Sequence, residues 1–395
     1  MRHPLRTTRS SVLATVACEN ASVRAGSSGS GSVVTRGLRI TLFAAMGFVL
    51  SVGFRMQDAG IVSPVNIYSC DTLLLVSDAQ VGIHVYSVAD RAHPRAMFSI
   101  PLEGNSGCAM AGGVIYANSY ESIIAMRIVG DTSYEVTRVL TGAPMYFNDY
   151  YPMGDDVGMF NCVPPLGCVS DAPVAAGGSE TGGVGGSYAL FAVVDSFLYY
   201  VSGYDVVTMD IRSPESPVEL SHTYIGWSIE TIFPTQSHLF IGGAMGMYVL
   251  DRSTPASPRM IGQVQHFQSC DPVVVQDTVA YVTLRGGNTC GANRDELMSV
   301  SITDPANPTI LQELDVTTPY GLAVRDTLLY LAKGDNGFGL FSVSNPRNMT
   351  PIASMITPSR DFIWLGATLF VMGSDRITIF DVTDPATPAM VSEIR

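Results

Sequence analysis

One phrase recurs along most of this chain: an apolar run, an Asp or Ser, then a turn with two spaced prolines. Its clearest copies are Val249–Pro258, Val300–Pro308 and Ile379–Pro388. Looser copies lie at Val88–Pro94, Asp210–Pro217 and Val343–Pro351. A repeat of roughly 40 residues marks an array of like units, each burying its apolar face against a neighbour. This constrains the fold more tightly than any property of the composition.

The units share one anatomy. In residues 318–358, Gly321–Val324 is a short apolar strand and Arg325-Asp326-Thr327 a turn. Leu328–Ala332 is a second strand, Phe338–Val343 a third and Ile352–Ile356 a fourth. Short β-rich runs separated by Gly, Asp, Asn and Pro predict antiparallel strands rather than helices. The second strand recurs at Asp71–Leu75, Asp195–Tyr199, Asp277–Tyr281 and Gly366–Phe370. Asp or Ser ahead of the first proline bonds back to the backbone, and the proline fixes φ for the turn. The second proline opens the outermost strand, where no ladder donor is lost and the edge is blunted.

Six units carry the proline turn. A seventh, at 108–142, keeps Gly113–Asn118 and Ile123–Ile128 as strands and lacks the prolines. The second prolines Pro217, Pro258, Pro308, Pro351 and Pro388 are 41, 50, 43 and 37 residues apart. From Pro94 to Pro217 is 123 residues, which is two units plus a Gly-rich insertion at about 143–187. The expected fold is therefore all-β: a seven-bladed β-propeller of four-stranded antiparallel blades. It forms a single domain over residues 56–395. Residues 56–62 are a candidate for a strand borrowed across the termini to close the ring.

The strand-and-turn phrase resembles the LVIVD repeat, a predicted propeller repeat of exported or surface proteins in bacteria and archaea. The likeness covers about residues 64–395 outside the insertion, and the unit at 108–142 departs from it. It implies fold and export, and offers no catalytic residue to carry over.

Residues 1–55 form a separate leader. Residues 1–37 are rich in Ser, Thr, Gly and Arg; then Ile40–Phe54 is uncharged and apolar, preceded by Arg36 and Arg39. This patterning is that of an export signal, and 15 residues fall short of the ~20 that a spanning helix needs. A cleaved signal is the first expectation, an uncleaved anchor the second and lipidation at Cys18 the third. The product is then secreted or held at the cell envelope.

Seven of the 22 basic and one of the 35 acidic residues lie in the leader, leaving 15 against 34 and a net charge of −19. That balance argues against nucleic acid and anionic membranes as partners. Of the seven cysteines, Cys70, Cys108, Cys162, Cys168, Cys270 and Cys290 follow the leader. An even count in an exported chain suggests disulfides. Cys162 with Cys168, Cys270 with Cys290 and Cys70 with Cys108 are the candidate pairs; zinc is the rival reading, but the spacings fit no usual ligand pattern.

Strands alternate direction, so the second-to-third-strand loops and the blade-to-blade connections share one face. These loops carry Asp78, Glu121, Asp205, Asn288, Asp335, Asn336 and Asp375. The insertion is expected on the same face, able to lid the channel, with Asp149, Tyr150, Tyr151, Asp155 and Asp156 as its ligand candidates. Asp and Asn suit a hard cation, and Asp205, Asp335 and Asp375 are the candidates for calcium. The same residues are also ordinary turn formers. No G-x-S-x-G elbow, H-E-x-x-H or P-loop is present, so no catalytic residue is assigned. The sequence points to a monomeric exported binding or scaffolding propeller that recognises a surface protein or a glycan. The alternative is a polysaccharide hydrolase or lyase with carboxylates at the channel mouth.

Overall fold

The computed structural model describes residues 60–141, 183–226, 229–265, 272–286 and 294–395, and their regular structure is entirely β. Blade 1 is built from β1 (Pro64–Cys70), β2 (Leu73–Asp78), β3 (Gly82–Ser87) and β4 (Arg95–Pro101). Blade 2 follows as β5 (Cys108–Ala111), β6 (Val114–Ser119), β7 (Ser122–Val129) and β8 (Ser133–Thr141). A two-residue strand, β9 (Val184–Gly185), precedes blade 3, which comprises β10 (Phe191–Val194), β11 (Phe197–Ser202), β12 (Asp205–Asp210) and β13 (Val218–Tyr224). Blade 4 contains β14 (Ile229–Pro234), β15 (His238–Gly243), β16 (Gly246–Asp251) and β17 (Arg259–Gln265). Blade 5 contains β18 (Val273–Gln276), β19 (Val279–Leu284), β20 (Glu296–Ser301) and β21 (Thr309–Asp315). Blade 6 contains β22 (Leu322–Arg325), β23 (Leu328–Ala332), β24 (Phe338–Ser342) and β25 (Thr350–Met355). Blade 7 ends the chain with β26 (Asp361–Leu365), β27 (Thr368–Met372), β28 (Ile377–Asp381) and β29 (Ala389–Ile394). Each blade is an antiparallel sheet in chain order, and the seven-bladed propeller expected from the repeat is the fold.

The innermost strands touch in sequence around the ring, and β26 meets β1 to close it. Among the described residues no strand is exchanged at this seam: residues 60–62 pair with nothing as a strand, and residues 56–59 of the candidate closing segment lie outside the described residues. Instead Ile61 packs with Ile394, Ser392 Oγ donates to the Arg91 carbonyl at 2.6 Å, and the Arg91 guanidinium lies 5.2 Å from the Phe370 ring centre.

Local chemistry explains each turn. The first hairpin turns at Asp71, Asp195, Asp277 and Asp326, all with φ near +55°, a region that Asp tolerates better than most residues. In the proline turns, Asp210, Asp251 and Asp381 each accept a bond from the backbone N–H two residues on, at 2.9, 2.8 and 2.7 Å. These turns also dock blades together. Tyr116, Tyr199 and Tyr330 occupy the third position of their second strands, and each donates its hydroxyl to the next blade's Pro214, Pro255 or Pro385 carbonyl.

The second and third strands are almost wholly buried, whereas the fourth strands are largely exposed, as in β25. A bulge interrupts the pairing of third and fourth strands in all seven blades. A bulge increases twist, so with the edge prolines it discourages pairing with another chain.

Candidate functional site

The centre of the ring is occupied by the protein's own backbone. Strand β9 pairs antiparallel with the channel edge of β1, Tyr68 opposite Gly185 and Ser69 opposite Val184, making blade 1 five-stranded. From there the chain crosses to the other blades. Gly186 N–H donates to the Ile67 carbonyl of blade 1 at 3.2 Å, and Asn66 Nδ2 donates to the Tyr188 carbonyl at 3.4 Å. The Ala189 carbonyl accepts from Ile232 of blade 4 at 2.6 Å before the chain enters β10.

Asp361, the first residue of β26, holds this segment from blade 7. Its Oδ1 accepts from Ser187 N–H at 2.9 Å and from Ser187 Oγ at 2.7 Å, and its Oδ2 accepts from Tyr188 N–H at 3.3 Å. Ser187 Oγ accepts in turn from Leu322 N–H of blade 6 at 2.9 Å. A Cβ at Gly186 or at Gly321 would collide with the Asp361 carboxylate, so both positions need glycine for this close approach. Asp361 is fully buried. Burial raises its carboxyl to about 6 against the opposing hydrogen bonds from Ser187, Phe362 and Tyr188. Beside it, burial holds the Tyr188 phenol well above its ordinary range, with the Arg285 charge pulling the other way. The arrangement binds one part of the chain to another. Ser187 is 2% exposed, so its hydroxyl has no access to a substrate.

The predicted carboxylates among the described residues, Asp78, Asp205, Asp335 and Asp375, stand on four separate blades. Asp78 is buried at the end of β2, with Oδ2 accepting from Val62 and Ser63 N–H at 2.7 and 2.8 Å and Oδ1 from Gln80 and Val81 at 2.9 and 3.2 Å. Burial alone would raise this carboxyl, but the His84 imidazole 3.8 Å from Oδ2 and the backbone donors of Ser63, Gln80 and Val62 together bring it down to about 2. Its role is to pin the entry to β1. Asn118 does the same in blade 2, where its Oδ1 accepts from Ser106 and Gly107 N–H at 3.1 Å. Asp205 lies 3.7 Å from His222 on the loop face of blade 3. Asp335 is exposed on blade 6, and Asp375 on blade 7 is paired with Arg376 at 2.7 Å. No three His, Cys, Asp or Glu side chains converge as metal ligands among the described residues. Asp149, Tyr150, Tyr151, Asp155 and Asp156 lie outside the described residues, as do Cys162, Cys168, Cys270 and Cys290.

Cys70 and Cys108 are both buried free thiols, so the expected bridge between blades 1 and 2 is not formed. The reason is positional. Cys70 ends β1 beside the hairpin turn, whereas Cys108 begins β5 three residues before the equivalent point. Parallel inner strands at ~3.3 Å per residue therefore offset them by roughly 10 Å along the channel. Cys108 Sγ instead accepts from Ser77 Oγ at 3.6 Å, and burial raises the Cys70 thiol to about 11.

Sequence reasoning missed Asp361, Ser187 and the two glycines around them. The only signal was a carboxylate opening an otherwise apolar inner strand, Asp361-Phe362-Ile363-Trp364-Leu365. A shallow apolar cleft of about 280 Å3 lies between blades 6 and 7, bounded by Phe338, Leu340, Ala353, Met355 and the turn Ala386–Pro388. It contains no ionisable side chain.

No protein-family model matches the chain, and no curated protein matches it in sequence. Solved structures match its fold. A protein from Lactobacillus plantarum superposes with a TM-score of 0.56 at 14% identity, covering 85% of this chain and 96% of that one. BamB from Moraxella catarrhalis gives 0.52 at 8% identity, covering 86% and 99%. A chain of the Mitotic Checkpoint Complex gives 0.54 at 11% identity, covering 89% and 100%. These likenesses are of the β-propeller fold alone.

Proposed function

We propose that this protein is a non-catalytic binding or scaffolding propeller, exported to the cell surface or beyond, that recognises a protein or a glycan through loops on one face. The observation that carries the reading is the occupied channel. Residues 183–190 fill the place where a propeller would otherwise gather groups from several blades around a ligand, and Asp361 is consumed in holding them. The remaining acidic candidates, Asp205, Asp335 and Asp375, stand on three separate blades. Rigid blades presenting dispersed loops suit recognition more than chemistry. The likeness of the proline-turn phrase to the LVIVD repeat and the basic-then-apolar leader support export. Use of the fold in a chain of the Mitotic Checkpoint Complex is consistent with scaffolding.

The test exposes the full chain to immobilised polysaccharides and purified surface proteins, with calcium and with EDTA, and measures retention and released product together. Retention without new reducing ends or unsaturated sugars is expected. Product release that disappears on Asp205→Asn or Asp335→Asn would replace this reading with the hydrolase or lyase alternative.

A further inference from the structure

The two halves of the loop face differ in chemistry. Among the described residues, the exposed large aromatic side chains are Tyr120, Tyr204 and Tyr224, at 54%, 41% and 66% exposure. All three lie on the loop face of neighbouring blades: Tyr120 in the turn between β6 and β7, Tyr204 between β11 and β12, and Tyr224 at the end of β13. Tyr224 stands opposite Asp205 in the β12–β13 register. Each tyrosine therefore has a carboxylate beside it, Glu121 following Tyr120 and Asp205 following Tyr204. Glu103, exposed in the connection from β4 to β5, adds a further negative charge.

Tyr120 also adopts φ of +50°, a region costly for a bulky side chain, where blade 3 places Gly203 at the same step of its hairpin. Its ring lies against Gly104, where even a Cβ would collide with it. The backbone thus bears strain to hold an exposed tyrosine on the rim.

The cations of this face lie elsewhere. Arg285 and Arg294 belong to blade 5, Lys333 to blade 6, and Arg376 and Arg395 to blade 7. Arg294, Arg376 and Arg395 are already paired with Glu296, Asp375 and Glu393 respectively. Blades 2 and 3 present no lysine or arginine on the loop face among the described residues. Of their arginines, Arg127 and Arg212 are committed to carboxylates near the opposite face, Glu135 and Asp210, and Arg138 is exposed midway along β8, outside the loops of this face.

We infer that the loop face of blades 2 and 3, built from Tyr120, Glu121, Tyr204, Asp205 and Tyr224, is a docking surface for an arginine- or lysine-bearing segment of another protein. This rests on the binding-module reading above and names its partner class. Tyrosine faces attract guanidinium and ammonium groups, and neighbouring carboxylates supply charge-assisted bonds. The net negative charge of the ring adds long-range attraction for a cationic partner. Within this acidic ring, blades 2 and 3 combine aromatic faces with carboxylates; among the described residues no lysine or arginine stands in their loops on this face, and the one basic neighbour of Asp205 is His222 at 3.7 Å.

The test uses the full chain and a fluorescein-labelled octa-arginine peptide, followed by anisotropy, with cellohexaose as a neutral glycan probe. Tyr204→Ala with Tyr224→Ala, and separately Glu121→Gln with Asp205→Asn, are expected to weaken peptide binding about tenfold or more. Asp335→Asn with Asp375→Asn, on the same face but across the ring, is expected to change it less than twofold. Thermal midpoints within a few degrees of the parent show that each variant is folded. Equal weakening by both acidic pairs would overturn the proposal by making the attraction one of bulk charge, and so would no binding at all. Cellohexaose binding that the tyrosine pair abolishes and the acidic pair leaves intact would overturn it in favour of a glycan, with the binding-module reading still standing.

Discussion

Asp361 and Ser187 are 174 residues apart in sequence, yet one carboxylate oxygen of the first accepts both the backbone N–H and the hydroxyl of the second. The contact joins the last blade to the segment that fills the channel. A fully buried carboxylate in this position is raised because the charged form has lost its water and the four donors of Ser187, Phe362 and Tyr188 only partly compensate.

The pH dependence follows. An unfolded aspartate titrates near 4 and Asp361 in the fold at about 6. Its stabilising contribution is complete below about pH 4 and is lost as pH rises through about 6, a change of ~3 kcal/mol. Asp361→Asn is expected to flatten the stability profile between pH 4.5 and 7.5. Urea unfolding of both proteins at those two pH values measures the difference; parallel profiles would refute it.

Asp78 has the opposite sign. Its carboxyl is held at about 2, below the unfolded value, so its contribution is present above about pH 4 and is lost as pH falls through about 2. Asp78→Ala removes the acceptor of Val62 and Ser63 N–H at the entry to β1 and of Gln80 N–H in the β2–β3 turn, while Val81 N–H keeps its bond to the residue 78 carbonyl, and is expected to cost ~3 kcal/mol or more at pH 7. Hydrogen exchange at Val62, Ser63 and Gln80 should rise together in this variant, and unchanged exchange there would contradict the assignment.

Gly186→Ala and Gly321→Ala each place a methyl group against the Asp361 carboxylate. Both are expected to destabilise the protein by ~2 kcal/mol or more through strain and lost hydrogen bonds. Exchange of the Ser187, Tyr188 and Leu322 amides should accelerate before that of the outer blades. A variant with normal stability and normal exchange would mean that the channel segment is not fixed where the structure has it.

The interblade tyrosines can be tested singly. Tyr199→Phe and Tyr330→Phe remove the donors to the Pro255 and Pro385 carbonyls while preserving ring packing; Tyr330→Phe is expected to cost ~1 kcal/mol, and Tyr199→Phe more, because the same hydroxyl accepts from the buried Arg252 Nε at 3.1 Å. A stability change below measurement error in denaturant titrations would make these bonds incidental.

Cys70 and Cys108 should resist alkylation in the native protein and react fully once unfolded without reductant, read by peptide mass spectrometry. A bridged peptide containing both would overturn the free-thiol assignment.

The repeat made blades, strand order and turns readable because each is specified by neighbours in sequence. The second-strand aromatics were readable in principle too. Blade 1 has Leu75 where blades 2, 3 and 6 have Tyr116, Tyr199 and Tyr330, and blade 2, which follows it, is the one without a proline turn. A tyrosine donor and its proline-turn carbonyl come from consecutive units, so the pairing is visible only when units are compared in order. The channel contacts were not legible. Asp361, Ser187 and Gly321 lie in three parts of the chain, and nothing local marks a two-residue strand such as Val184–Gly185 as the partner of β1. The expected Cys70–Cys108 bridge failed for a related reason, because counting cysteines says nothing of their height along parallel strands.

The four main strands of every blade are consecutive in the chain, and among the described residues the seam between blades 7 and 1 is held by side chains and a few hydrogen bonds. Such a ring resembles a clasped bracelet more than a welded hoop. Tension applied between Gly60 and Arg395, which approach each other at that seam, would strip the outermost blades in succession while the remainder stayed folded.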